Sequence, residues 1–326
     1  MNALVKVFFA GLLACGIAGE RAAAETWPAR PVVIVVPFTP GGATDILARL
    51  LAQRLEQRLG KPFVVENRPG AGSVTGALSV ARAAPDGHTL LMAPSPTMAI
   101  NVTLHKKLPY DPAVDFVPLA LLVATPFVLV VNPSLPVESV SDLLRLAKEK
   151  KGLLSFASTG SGTPHHLYAE LFKTMAGIDM THVPYKGSAP ALTDVVAGHV
   201  DMVITDVPPA IGMITEGKVR ALGVTPKDRV AAISTVPPIA EVGVPGFDAS
   251  SWQMIVAPAD TPKDIVDRLH AEVQDIMAQP DIRAFVVKMG MVPIDSAPVA
   301  DLQVFVKSEI ARWGKVVQQA GIAGSQ

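Results

Sequence analysis

Apolar runs of about four to eight residues alternate along this chain with longer stretches in which apolar side chains recur every three or four positions. The first pattern marks buried strands; the second marks helices that press one face on a core. Strands are therefore expected at Val32–Val36, Phe63–Glu66, Thr89–Ala93, Phe127–Asn132, Leu154–Ala157, Met202–Thr205, Ala221–Val224 and Trp252–Ala257. Helices are expected at Ile46–Leu59, Ser73–Ala83, Val140–Glu149, His165–Ala176, Ala189–Ala197, Pro209–Glu216, Pro262–Ala278 and Ala300–Ala320. In Val140–Glu149, Leu143, Leu144 and Ala147 fall on one face, and Ser141 can serve as the cap. Strands alternating with helices in this way read as βαβ units on parallel sheets, an α/β fold.

Proline punctuates the middle of the chain at Pro109–Pro112 and Leu135-Pro136, and again between Thr235 and Pro245. These breaks suggest two doubly wound domains. One is discontinuous, 25–130 with 251–326; the other, 131–250, is inserted into it. Two strands crossing between them would leave a cleft at strand C-termini, where open α/β sheets take ligands.

The first residues read as an export signal. Lys6 gives a short basic start, Val7–Ala18 is apolar, and Ala22-Ala23-Ala24 offers a cleavage site before Glu25, so 1–24 is the expected signal peptide. Leu12-Leu13-Ala14-Cys15 loosely resembles a lipoprotein signal, the alternative in which Cys15 is acylated. Cys15 is the single cysteine of the 326-residue chain. Cleavage after Ala24 would leave none, which excludes disulfides and thiolate chemistry. It would also remove Lys6, Arg21 and Glu20, taking the net charge from −1 to −2. Such a balance gives no reason to expect nucleic acid or an anionic membrane as partner.

Two turns carry the candidate chemistry. Pro37-Phe-Thr-Pro-Gly-Gly-Ala-Thr-Asp45 follows the apolar run ending at Val36 and precedes a helix. Gly41 and Gly42 let a ligand approach the backbone, and free N–H groups at a helix start attract an anion. Ser155–Pro164 repeats the design, with hydroxyls at Ser158, Thr159, Ser161 and Thr163 and glycines at 160 and 162. Pro164 suits the first turn of a helix. Either turn alone could be an ordinary cap; as a pair they could face each other across the cleft. Asp45 could act as a general base, but an Asp in a first helical turn more commonly complements the dipole or braces the loop. Tyr185 and Lys186 lie on a short loop before a helix, while Ser95 and Asp206 end strands; turn capping and ligand contact are both open for these positions. The G-x-G-x-x-x-G spacing in Glu66–Gly76 follows the second strand and reads as a tight helix-capping turn, not a dinucleotide site. Adjacent His165 and His166 would point about 100° apart on a helix and cannot share a metal. Neither an H-E-x-x-H nor a G-x-S-x-G motif occurs. No cofactor, metal or catalytic residue is expected.

Taken as a set, these motifs resemble a known family. Pro37–Asp45, Glu66-Asn-Arg-Pro-Gly-Ala-Gly72, Pro85-Asp-Gly87, Leu108–Pro112, Ala157–Thr163 with His166-Leu167, Val183–Pro190, Gly198–Asp201, Gly217–Gly223, Ala240–Phe247 and Ala257–Pro262 are similar to the Bug-type extracytoplasmic solute receptors. Those are the substrate-binding subunits of tripartite tricarboxylate transporters. The resemblance implies a type II periplasmic-binding-protein fold that closes like a flytrap on a small carboxylate, held mainly by backbone amides at two helix N-termini. Carried over, the contacts would be Phe38, Gly41, Gly42, Ala43, Asp45 and Ser95 from the first domain. Ser158, Thr159, Gly160, Gly162, Thr163, His165, Tyr185 and Asp206 would come from the second. His165 departs from the family's usual polar amide residue, as Ser73, His88 and Val102 depart from the usual Gly, Tyr and Pro. The implied protein is a monomeric, non-enzymatic periplasmic receptor working with membrane subunits of such a transporter. A sensor feeding a membrane signalling protein would share the ligand chemistry, and a periplasmic ester hydrolase is the remaining alternative.

Overall fold

A computed structural model describes residues 27–319 and 321–326; the expected signal peptide and Cys15 lie outside them. The chain runs β1 (Val32–Val36), α1 (Ala43–Leu59), β2 (Phe63–Asn67), α2 (Val74–Ala81), β3 (Thr89–Pro94), α3 (Asn101–Leu104) and β4 (Phe116–Val131). It continues through α4 (Val140–Glu149), β5 (Ser155–Ser158), α5 (Pro164–Ala176), β6 (Thr181–Pro184), α6 (Ser188–Ala197), β7 (Met202–Asp206), α7 (Val207–Thr215), β8 (Arg220–Val224) and α8 (Ile239–Val242). It ends with β9 (Ser250–Pro258), α9 (Lys263–Ala278), α10 (Pro280–Lys288), β10 (Val292–Pro293) and α11 (Val299–Gln319).

The ladder order is β2-β1-β3-β9-β4-β7-β5-β6, with β8 and β10 also on β4. β1, β2 and β3 are parallel, as are β5, β6 and β7, while β9 runs antiparallel to both β3 and β4. β1 reads Val-Val-Ile-Val-Val because helices cover a parallel sheet on both faces, so its side chains are buried almost without alternation. β4 joins two sheets. Up to Pro126 it pairs with β9; from Phe127 it pairs with β7 and β8. The chain returns where Ala249 N donates to Thr225 O, Thr225 being itself tied to Phe127. We call the part built on β1, β2, β3 and β9 the first lobe and the part built on β5–β8 the second.

Three expectations are corrected. β4 begins at Phe116, not Phe127; it carries Pro118 and Pro126, with register shifts at Pro118/Ala120 and Leu121/Val123. The short, half-exposed β6 at the edge of the second sheet carries too little apolar signal to be seen. Ser139, not Ser141, caps α4, accepting from Asp142 N at 3.1 Å, while Ser141 donates to Val242 O.

Candidate functional site

The turn after β1 places Gly41 at φ +93°, a left-handed value that favours glycine, before α1 starts at Ala43. Gly42 is different: its φ is −86°, and an added Cβ would meet Ser188 Oγ and Asp206 Oδ2 only at 3.6 and 3.7 Å. The turn is braced by carboxylates. Asp45 accepts from Gly41 N at 3.0 Å, from Arg49 at 3.0 Å and from Asn67 Nδ2 at 2.9 Å. Burial alone would raise its pKa; those bonds outweigh it and hold the carboxyl below its ordinary value.

Asp206, at the end of β7, reaches across from the second lobe. Its Oδ2 accepts from Ala43 N at 2.8 Å, and its Oδ1 accepts from Ser188 Oγ at 2.6 Å and His165 Nε2 at 2.9 Å. Only 4% of Asp206 is exposed. Burial opposes its charge, but the His165, Ser188 and Ala43 bonds prevail and bring the pKa down to about 2. The sequence reading assigned the Gly41–Ala43 amides to a ligand. In the structure Gly41 N is bonded to Asp45 and Ala43 N to Asp206. Among the described residues the N–H groups of Thr44 and Asp45 have no protein acceptor.

The second turn is braced by imidazoles. Gly162 N donates to His166 Nδ1 at 3.1 Å; Gly160 N donates to Ser158 Oγ, which sits 2.6 Å from His182 Nε2. His166 and His182 stack at 4.1 Å beside Phe156. Burial, with Lys173 near, lowers His166 to about 4; burial, His166 and Lys173 do the same to His182. His165 bridges Asp206 to Thr159 Oγ1, 3.0 Å from its Nδ1, and Phe127 meets its ring edge-on at 4.9 Å. Leu167 N makes the first backbone bond of α5, to Thr163 O. The His165 and His166 N–H groups therefore have no protein acceptor among the described residues.

The two turns meet across a cavity of ≈ 40 Å³. Phe38, Gly42, Ala43, Asp45, Thr159, His165 and Asp206 all line it, and among the described residues no lysine or arginine does. Outside lies a groove of ≈ 400 Å³ with Phe38, Gly160, Tyr185 and Lys186 on its walls. Tyr185 turns its hydroxyl away to Asp194 at 2.7 Å, and burial with that neighbour pushes its pKa up to about 12. The other expected contacts lie off the cavity. Gly41 is on the exposed rim, Ser95 is buried and bonded to Ser251 at 2.7 Å, and Ser158 and Thr163 are spent on the turn itself. Gly162 carries a packing contact: a Cβ there would lie 1.8 Å from Leu104 Cδ2 of the first lobe. Sequence reasoning missed Thr125, Ser188, Ser251 and Gln253, which also line the cavity. Ser188 lies inside the Val183–Pro190 motif; for the other three the signal is a register, Thr125 opposite Ser251 on β4 and β9, which no local motif announces.

Residues 47–322 match the tripartite tricarboxylate transporter family receptor (TctC). The chain is 36% identical to the Protein BugT of Bordetella pertussis over 98% of both chains. Among solved structures, an R. palustris protein with adipate is 40% identical, with a TM-score of 0.87 over 91% of this chain and 99% of that one. MatC from Rhodopseudomonas palustris, with bound malate, is 36% identical, with a TM-score of 0.84 over 89% and 99%. The fold is the two-lobed α/β fold of periplasmic binding proteins.

Proposed function

The chain belongs to the tripartite tricarboxylate transporter receptor family, and from that premise we propose that this periplasmic solute-binding protein captures a small carboxylate between its lobes and delivers it to the membrane subunits of a transporter. The observation that carries this reading is the pair of helix N-termini converging on one cavity that, among the described residues, no lysine or arginine lines. There the unpaired amides of α1 and α5 are the available countercharge. Hydrogen bonds to an ionised oxygen contribute roughly 1.5–3 kcal/mol each, so a few reach micromolar affinity, about −8 kcal/mol. The relatives solved with adipate and malate favour the same chemistry here.

At ≈ 40 Å³ the cavity is well below the roughly 300 Å³ of an ordinary ligand pocket, and a four- to six-carbon acid enters as the lobes part. The lobes proposed are 25–130 with 251–326 and 131–250. They hinge on β4 near Pro126 and on the return at Ala249, where each strand leaves one sheet for the other. The receptor acts as a monomer and needs no cofactor.

A thermal-shift screen of the purified protein against mono-, di- and tricarboxylates tests the proposal. An acid at a hundred times its Kd contributes about 2.7 kcal/mol, a rise in Tm of about 5 °C for a chain of this size. A selective, concentration-dependent rise is expected. No shift and no heat of binding with any acid overturns it.

A further inference from the structure

The floor of the cavity is built from the strands that join the lobes. Thr125 on β4 pairs directly with Ser251 on β9, and Gln253 lies two residues further along β9, so the three side chains share one face. All three are buried, and all three line the cavity. Thr125 is 1% exposed, yet its hydroxyl has no hydrogen-bond partner among the described residues. Buried hydroxyls are nearly always satisfied, and an unsatisfied one costs stability. Gln253 is committed at one end only. Its Oε1 accepts from Thr44 Oγ1 at 3.2 Å, while its Nε2, a donor, has no acceptor among the described residues. Ser251 is tied to Ser95, so one hydroxyl hydrogen of that pair is also left over.

What remains on the floor is therefore a set of groups able to donate: the Thr125 hydroxyl and the Gln253 amide. We propose that Thr125 and Gln253 form a deep subsite for a second acceptor group of the bound acid, a distal carboxylate or carbonyl oxygen, and so select bifunctional acids over acids with an alkyl end. The inference rests on the carboxylate reading of the cavity and adds to it. Helix amides hold one carboxylate; the strand face reads the far end. A carboxylate or carbonyl oxygen accepts from the Thr125 hydroxyl and the Gln253 amide together, whereas a methyl group leaves both unpaired.

Titration calorimetry with matched pairs of equal length, succinate against butyrate and adipate against hexanoate, tests it. At least one diacid is expected to bind wild-type protein tenfold or more tightly than its partner. Thr125→Val should cut that ratio below threefold without lowering the Tm of the protein alone, because the hydroxyl it removes supports no bond in the fold. Gln253→Met should cut the ratio in the same direction. Wild-type binding of monoacids as tight as diacids overturns the inference while the carboxylate reading stands. A ratio unchanged in both variants does the same. So does a Tm drop of several degrees in Thr125→Val, which would make the hydroxyl structural. If none of the four binds but another acid of the thermal screen does, that acid against the monoacid of equal length carries the same comparison; failure of every acid in the screen defeats the carboxylate reading and the subsite with it.

Discussion

The turn before α1 and the turn before α5 are written in nearly the same residues and held in opposite ways. Carboxylates brace the first: Asp45 from within and Asp206 from the facing lobe. Imidazoles brace the second, with His166 accepting from Gly162 N and His182 supporting Ser158. A donor-rich loop needs acceptors, and both residue types supply them, but they fail at different acidities. Their glycines differ as well. Gly41 answers a backbone requirement, whereas Gly162 answers a backbone requirement and a packing one at once.

Gly162→Ala should therefore break the comparison most severely. At φ +79° an added Cβ is strained, and it would collide with Leu104, which is fully buried and has nowhere to swing. Loss of lobe closure, read as more than a hundredfold loss of affinity for the best acid of the screen, is expected. The companion Gly42→Ala should cost little, since its φ is ordinary and its Cβ neighbours stand at contact distance. Equal effects from the two substitutions would show that closure does not depend on Gly162 packing.

Asp206→Asn comes next. It leaves His165 and Ser188 facing an amide in a buried site, and such a broken network costs roughly 3 kcal/mol. Because Asp206 also ties the lobes through Ala43 N, affinity should fall at least tenfold and by a similar factor for every acid that binds. Wild-type affinities would remove Asp206 from the closed state.

Acid separates the turns without a mutation. The unfolded histidines titrate near 6.5, and His166 and His182 in the fold near 4. The unfolded chain binds protons first, so these groups contribute stability that is present above pH 6.5 and lost as pH falls to about 4, by at most about 2.7 kcal/mol per pH unit. Asp206, lowered from 3.8 to about 2, contributes stability that is lost only below pH 3.8. Hydrogen exchange at pH 4.5 should find the Gly162 amide less protected than at pH 7, with Gly41 unchanged after correction for intrinsic rates. Parallel loss at both glycines would refute the division.

Much of this was legible in the sequence, for identifiable reasons. Pro37–Asp45 and Ser155–Pro164 announce themselves because glycine, proline and hydroxyls must sit together where a strand turns into a helix. Asp206 could be placed at a strand end, but not opposite Ala43, 163 residues away. Thr125, Ser251 and Gln253 look like unremarkable strand residues until the β4–β9 register sets them side by side. Long-range register, not local chemistry, is what the sequence withheld. The same holds for the first half of β4, Phe116–Pro126, whose pairing with β9 runs through two register shifts.

The smallest effect concerns Asp45, which the family resemblance placed among the ligand contacts. Its side chain lines the cavity, yet its oxygens already accept from Gly41, Arg49 and Asn67. Asn at this position keeps one acceptor and presents an amide where an oxygen was, so part of the brace is lost. Arg49 is 53% exposed, and solvent discounts that ion pair to well under 1 kcal/mol. The loss of the Gly41 bond and of a negative charge in the first turn of α1 adds about 1 kcal/mol. Asp45→Asn should thus lower the Tm by about 2 °C and weaken acid binding by only a few fold, through a looser turn. A loss above a hundredfold at an unchanged Tm would instead put Asp45 on the ligand, and the two turns would then differ in what they touch as well as in how they are held.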